Sequence, residues 1–328
     1  MRSLARKTGL SVATISRVLN DSGHVSESTR LRVKQAIQES GYVPNSAARA
    51  LSTQRTRTIG AVLPTLADSI FSRFIDSLED QLAQYGYALV VATTQYDPDK
   101  EAMRARELLD MGAEGLVLSG AQQNQDLLSL LKRAAIPAVC SSLHEAENGL
   151  TAIGYDNAAI AEQAIEYLHA QGHKRIAIAH GPSDNNDRTL LRIKGVKQAA
   201  QRLGVTLSFQ ETALDTRGGS TAAKRLLHNP FHFSAILCLS DVIAMGMLFE
   251  AHNRHIAIPE TLSIMGFDDL PWTELCHPPL TTIRLPTGRM GRAVADALIE
   301  RLEHDRKMEC RTLTANIVER CSTAKAMG

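Results

Sequence analysis

Aromatic side chains are scarce: seven Phe, six Tyr and one Trp make up 4% of the 328 residues. A site built on stacked rings, as a purine would want, is therefore disfavoured. The five cysteines (Cys140, Cys238, Cys276, Cys310, Cys321) are odd in number and scattered, and no two have C-x-x-C spacing. That argues against a disulfide framework or a cysteine zinc site, and it fits a reducing cytoplasm. The N-terminus has no apolar signal region, and no apolar run approaches the ~20 residues of a membrane span, so neither secretion nor membrane insertion is expected. None of G-x-S-x-G, H-E-x-x-H, G-x-x-x-x-G-K and G-x-G-x-x-G occurs. The eleven His are dispersed, and no acid/base pair is assembled. An enzyme, a resident metal and a cofactor are all unexpected.

The net charge of +1 conceals a segregation. Residues 1–58 hold ten Lys/Arg and three Asp/Glu, a charge of +7; the rest hold 26 and 32, a charge of −6. A basic head on an acidic body suits a nucleic-acid partner for the head alone.

That head begins with helix-turn-helix spacing at Ala5, Gly9 and Ile15. A small Ala5 lets two helices approach, and Gly9 can take the positive φ of the turn. Ser11 can cap the second helix. Ile15, Val18 and Leu19 form its inner stripe at i, i+3, i+4. Val12, Ala13, Ser16 and Arg17 are left on the outer face, where a recognition helix meets bases. An ordinary helical hairpin would show the same motif, so later features decide. A third helix is predicted from Ser26 to Ser40, and Tyr42 to Leu51 (YVPNSAARAL) follows it.

The runs LSVATISRVLN, HVSESTR and GYVPNSAARAL, in this order and spacing, resemble the DNA-binding domain and hinge of the lactose-repressor/galactose-repressor family of bacterial transcription regulators. The likeness extends through nearly the whole chain, with a gluconate-repressor-like variant as one possibility. It implies that Val12, Ala13 and Arg17 face bases. Ser11, Thr14, Ser16, Asn20, His24, Ser26 and Thr29 would hold phosphates. Asn45, Ala48, Arg49 and Leu51 would form a hinge helix in the minor groove, with Leu51 as the wedge. The partner would be a pseudo-palindromic double-stranded operator bound by a homodimer, without the heptads of a tetramer. The family's opening Thr-x-x-Asp-Val-Ala is missing here, with Ser3 in place of the Asp. Helix 1 is expected to lack about a turn and its cap, as an upstream start would explain.

After a polar linker at 52–58 the pattern alternates short apolar strands with amphipathic helices, and the alternation restarts after Asp156. That predicts parallel sheets covered on both faces, in two lobes with a cleft at the strand ends. The expected fold is therefore α plus α/β: a three-helix headpiece, a hinge helix and a two-lobed, doubly wound body. The resemblance makes that body a type I periplasmic-binding-protein fold. The divisions are 1–44 for the headpiece, 45–58 for hinge and linker, and 59–328 for the body. Lobe one is 59–155 plus 286–313; lobe two is 156–285 plus 314–328.

Five stretches match family ligand positions at strand ends. Ser69 and Phe71 follow strand one; Phe71 could stack on a sugar or simply fill the core. Asp156 could accept two hydroxyls or cap the next helix. Arg192, with Arg188 as a companion, matches the family's Arg-x-x-Gly. Ser240-Asp241 stands where Asn-Asp is usual. Asp268 sits in Gly-Phe-Asp-Asp. Acceptors beside an Arg suit a polyhydroxylated effector, a sugar or a sugar acid such as a gluconate-like one. The expected function is a cytoplasmic, nucleoid-associated, effector-controlled repressor. The alternatives are a sugar receptor that keeps only the fold, an α/β enzyme, or a regulator answering a purine or phosphorylated ligand.

Overall fold

The computed structural model describes residues 2–19, 25–42, 50–51, 53–66, 69–120, 123–146, 149–228 and 232–326. The head is three helices: α1 (Arg2–Thr8), α2 (Val12–Leu19) and α3 (Glu27–Ser40). Gly9 takes φ +64° at the first turn, as that turn requires. Ser11 Oγ accepts from Thr14 N at 3.0 Å, and Ser26 Oγ from Thr29 N at 3.4 Å, so both serines cap the helices they precede. Leu4, Ile15, Val18, Val33 and Ala36 bury one small core.

The body starts with β1 (Thr58–Leu63), α4 (Ser69–Gln84), β2 (Ala88–Thr93), α5 (Pro98–Asp110), β3 (Gly115–Ser119), α6 (Gln125–Ala134), β4 (Ala138–Ser141) and β5 (Thr151–Gly154). It continues with α7 (Asn157–Ala170), β6 (Arg175–His180), α8 (Asp187–Leu203), β7 (Thr206–Glu211), α9 (Thr216–Leu226), β8 (Ala235–Cys238), α10 (Asp241–Asn253) and β9 (Ser263–Met265). The last elements are β10 (Thr282–Arg284), α11 (Thr287–His304), β11 (Arg311–Thr312) and β12 (Asn316–Val318). A 3-10 turn, Pro271–Glu274, precedes β10.

Lobe one is a parallel sheet in the order β11-β5-β4-β3-β1-β2, and lobe two is one in the order β7-β6-β8-β9. The central strands of both are buried along all but an end residue, which is why they read as apolar runs. Between the lobes, β10 and β12 pair antiparallel. The chain passes between sheets after Gly154, after Arg284 and between Thr312 and Asn316. These crossings leave a cleft at the carboxyl ends of both sheets.

Three helix pairs approach on glycine. A Cβ on Gly195 of α8 would run into the carbonyl of Ala158 in α7. One on Gly246 of α10 would meet the backbone of α9 at Thr216 and Ser220, and one on Gly291 of α11 would meet Phe74 O of α4. Close backbone approach draws each pair tight and sets where its N-terminal residues face the cleft.

Candidate effector site and DNA-binding face

Arg192 is the best-held polar side chain of the cleft. It lies on α8, a turn after Arg188, and both are buried. Its Nε donates to Asn157 Oδ1 at 3.0 Å, its Nη1 to Leu239 O at 2.9 Å and its Nη2 to Tyr155 OH at 3.4 Å. The guanidinium lies 3.8 Å from the centroid of the Phe267 ring, a cation–π contact. Asn157 is itself fixed by donating to Ser142 O at 2.9 Å. The guanidinium is thus pre-positioned before any ligand arrives.

Asp268 faces it, with Oδ1 3.9 Å from Arg192 Nη1. Asp268 has φ +136° and Asp269 +55°, two non-glycine residues in the left-handed half of the map just beyond β9. Such strain persists where the surroundings hold it. Here Asp268 N donates to Ile283 O at 2.9 Å, and Ser240 Oγ donates to Asp268 Oδ2 at 3.0 Å. Burial pushes the Asp268 carboxyl above its ordinary range against the pull of Arg192. Ser240 precedes α10 but makes no side-chain cap bond, because its hydroxyl is turned to Asp268.

These side chains line a cavity between the lobes. Lobe two supplies Arg188, Arg192, Ser240 and Asp268; α4 of lobe one supplies Ile70, Phe71 and Phe74. Phe71 is 7% exposed, belongs to the core cluster and also lines the cavity wall. The lining is that of a small-molecule site, apolar walls with a few converging polar groups.

Two of the expected ligand residues do not reach the cavity. Asp156 caps α7, with Oδ1 accepting from Ala158 N and Ala159 N at 2.9 Å each, and its other oxygen is 3.7 Å from His144 Nε2. Its neighbour Asn157 does the work at the site by fixing Arg192. Asp241 is fully buried and its carboxylate is spent: Oδ1 accepts from Thr282 Oγ1 at 2.6 Å and Oδ2 from Leu270 N at 2.9 Å. It ties α10 to β10 and the 3-10 turn instead. The side chain of Ser69 lies outside the described residues. Tyr155, Asn186 and Thr189 also line the cavity and were not singled out from sequence. Their signal was faint: Asn186 reads as a helix cap, and Arg188/Arg192 spacing puts two cations on one face.

On the head, Ser11, Val12, Ala13 and Arg17 are exposed along the outer face of α2, and Thr14 and Ser16 are half-buried beside them. Ser26 and Thr29 sit at the start of α3 and bond each other, Oγ to Oγ1 2.8 Å. Leu51 is 85% exposed, a large apolar side chain with no core to join. Asn20, His24, Asn45, Ala48 and Arg49 lie outside the described residues.

Residues 56–319 match the family described as periplasmic binding proteins and sugar binding domain of LacI family, and residues 1–45 match bacterial regulatory proteins, lacI family. The chain belongs to the LacI family. This LacI-family protein is a DNA-binding transcription regulator and not an enzyme. It is 33% identical over 306 residues to the transcriptional repressor CytR of Escherichia coli, covering 92% of this chain and 89% of that one. It is 28% identical over 327 residues to the ribose operon repressor of Escherichia coli, covering 98% and 99%. Among solved structures, a LacI-family transcriptional regulator from Silicibacter pomeroyi superposes with a TM-score of 0.87 at 25% identity, covering 98% of each chain. Among the described residues no helix is long and apolar enough to cross a membrane.

Proposed function

We propose that this regulator is a cytoplasmic, nucleoid-associated repressor. It acts as a homodimer on a pseudo-palindromic operator and is controlled by a sugar or sugar acid held between its lobes. The observation that carries the effector reading is the buried Arg192–Asp268 pair, a fixed donor beside a strained acceptor in a cavity walled by Phe71. Vicinal hydroxyls can give to the Asp268 carboxyl oxygens and accept from the guanidinium at once. An apolar analogue would leave both unsatisfied and be rejected. The relation to a ribose operon repressor points to the same ligand class. The DNA reading rests on the exposed outer face of α2 and the basic head. The homodimer follows from two-fold symmetry, which a pseudo-palindromic site requires.

A thermal-shift screen against sugars, sugar acids and nucleobases tests the effector class, since a ligand that binds only the folded state raises its melting point. A sugar or sugar acid should stabilise the wild type and fail to stabilise Arg192→Ala. Stabilisation by nucleobases alone would replace this reading.

A further inference from the structure

The cleft takes the carboxyl ends of the lobe-two strands, and their amino ends lie at the opposite pole. There the loops entering β6, β8 and β9 meet the tail after β12 around a recess of about 270 Å³. Its walls are fixed by backbone bonds. Ser234 N donates to Arg175 O at 3.1 Å, Ser263 N to Ser234 O at 3.1 Å and Ala326 N to Gln171 O at 2.8 Å. Behind them His173 is 1% exposed, with Nε2 3.0 Å from Ala324 O and Nδ1 2.7 Å from Ser234 Oγ. Burial lowers the His173 pKa against the bond to Ala324 and so favours the neutral ring. A carbonyl only accepts, so Nε2 carries the proton and Nδ1 accepts from the Ser234 hydroxyl. The tail is pinned by these bonds, and neither His173 nor the Ser234 hydroxyl has a hydrogen left to give.

The other polar groups of the recess are uncommitted. Arg175, His232, Thr261 and Lys325 line it, all exposed, and none makes a side-chain hydrogen bond or ion pair with a described residue. Glu260 lines it too and is equally without a partner among the described residues. Guanidinium, imidazole, hydroxyl and ammonium all donate, and against them the Glu260 carboxylate accepts. Half-buried Phe233 and Pro259 supply an apolar wall. Two fixed cations against one carboxylate reverse, locally, the sign of an otherwise acidic body. We propose that this recess binds a small phosphate ester, its phosphate oxygens taken by Arg175, Lys325, His232 and Thr261 and a hydroxyl of its body by Glu260. A phosphate has enough acceptor oxygens to satisfy several donors at once, and its bonds to cations are the strong, charge-assisted kind. A neutral sugar would leave the cations unmatched. The volume is near the lower end of small-molecule sites, about 300 Å³. Because Arg192 stands at the other end of the same sheet, this ligand and the effector can be bound together.

The test is calorimetry on the full chain in a chloride buffer of fixed ionic strength. The probes are glycerol 1-phosphate, ribose 5-phosphate and inorganic phosphate, with glycerol and ribose as neutral controls. At least one ester should bind once per chain with a Kd of about 1 mM or tighter, and more tightly than inorganic phosphate. Arg175→Gln combined with Lys325→Gln should weaken that ester about tenfold. Glu260→Gln should tighten inorganic phosphate by removing a like charge. Arg192→Ala should keep the ester affinity, which separates this recess from the effector cleft. All three recess side chains are exposed, and melting without ligand checks that the variants fold. Failure of both esters to bind at several millimolar overturns the site, as does a double variant that binds them as the wild type does. Loss of the ester in Arg192→Ala would place the phosphate in the cleft instead. Inorganic phosphate binding as tightly as both esters would overturn the role of Glu260 and the ester with it.

Discussion

Glu101 and Asp268 show how burial sets the behaviour of single residues. A carboxyl raised in the folded state holds a proton that the unfolded chain gives up. Its stabilising contribution is therefore full below the unfolded value, 4.5 for Glu101, and is lost as pH rises through about 7. Glu101→Gln should flatten this part of the stability curve. Chemical denaturation at pH 4.5, 6 and 8 should show the wild type losing stability relative to the variant as pH rises, and parallel curves would refute it. Arg17 stands in a different setting, exposed on the outer face of α2. Arg17→Ala should cost ~1–3 kcal/mol at one base position and relax specificity there, read by competition between operator and scrambled DNA. Positions at the cavity were legible where chemistry and position coincide, as at Arg192 and Asp268, which both line it. They were not where one residue can serve two ends. Asp156 and Asp241 stand at helix starts with the right chemistry, but backbone and hydroxyl donors within the fold use up their carboxylates.

Elements were legible in proportion to their burial. β8 is an apolar run buried at every residue, of the kind the alternation predicts, and α3 starts after its expected cap and ends at Gly41 with φ +59°. β7 went unseen because it is a mostly exposed edge strand, with Phe209 among polar neighbours, so no apolar run marks it. β11 and β12 are two and three residues long, too short for any periodicity. The packing role of Gly195, Gly246 and Gly291, within α8, α10 and α11, could not be read from spacing alone. Gly246→Ala tests that role. Its Cβ has only backbone to move, so the variant should lose about 1–3 kcal/mol and melt earlier. An unchanged melting temperature would mean α9 and α10 can part at little cost.

At the scale of the whole molecule, the head must be mechanically tied to the lobes for a ligand to be felt at DNA. Residues 55–57 are buckled to the base of lobe one by Glu114, which accepts from Arg55 Nε at 2.9 Å, Thr56 N at 2.6 Å and Arg57 N at 3.0 Å. Its carboxyl is held below the usual range by those bonds against its burial. Glu303 adds a second anchor to Arg55 at 3.0 Å. Glu114→Ala should leave effector affinity intact and shrink the change in operator affinity that the effector causes. The two-lobed architecture was legible because the strand–helix rhythm restarts after Asp156. The tie was not, since Glu114 lies far along the chain from the linker it holds.

The central claim is that a ligand held by Arg192 between the lobes governs DNA binding by the head. The direct measurement is an anisotropy titration of operator DNA, with and without the sugar found by the thermal screen, for wild type and Arg192→Ala. Coupling of ~1–3 kcal/mol should shift wild-type affinity several-fold to about a hundredfold. Arg192→Ala should match the wild type without ligand and show no shift with it. A variant whose operator affinity shifts as the wild type's does would contradict the account.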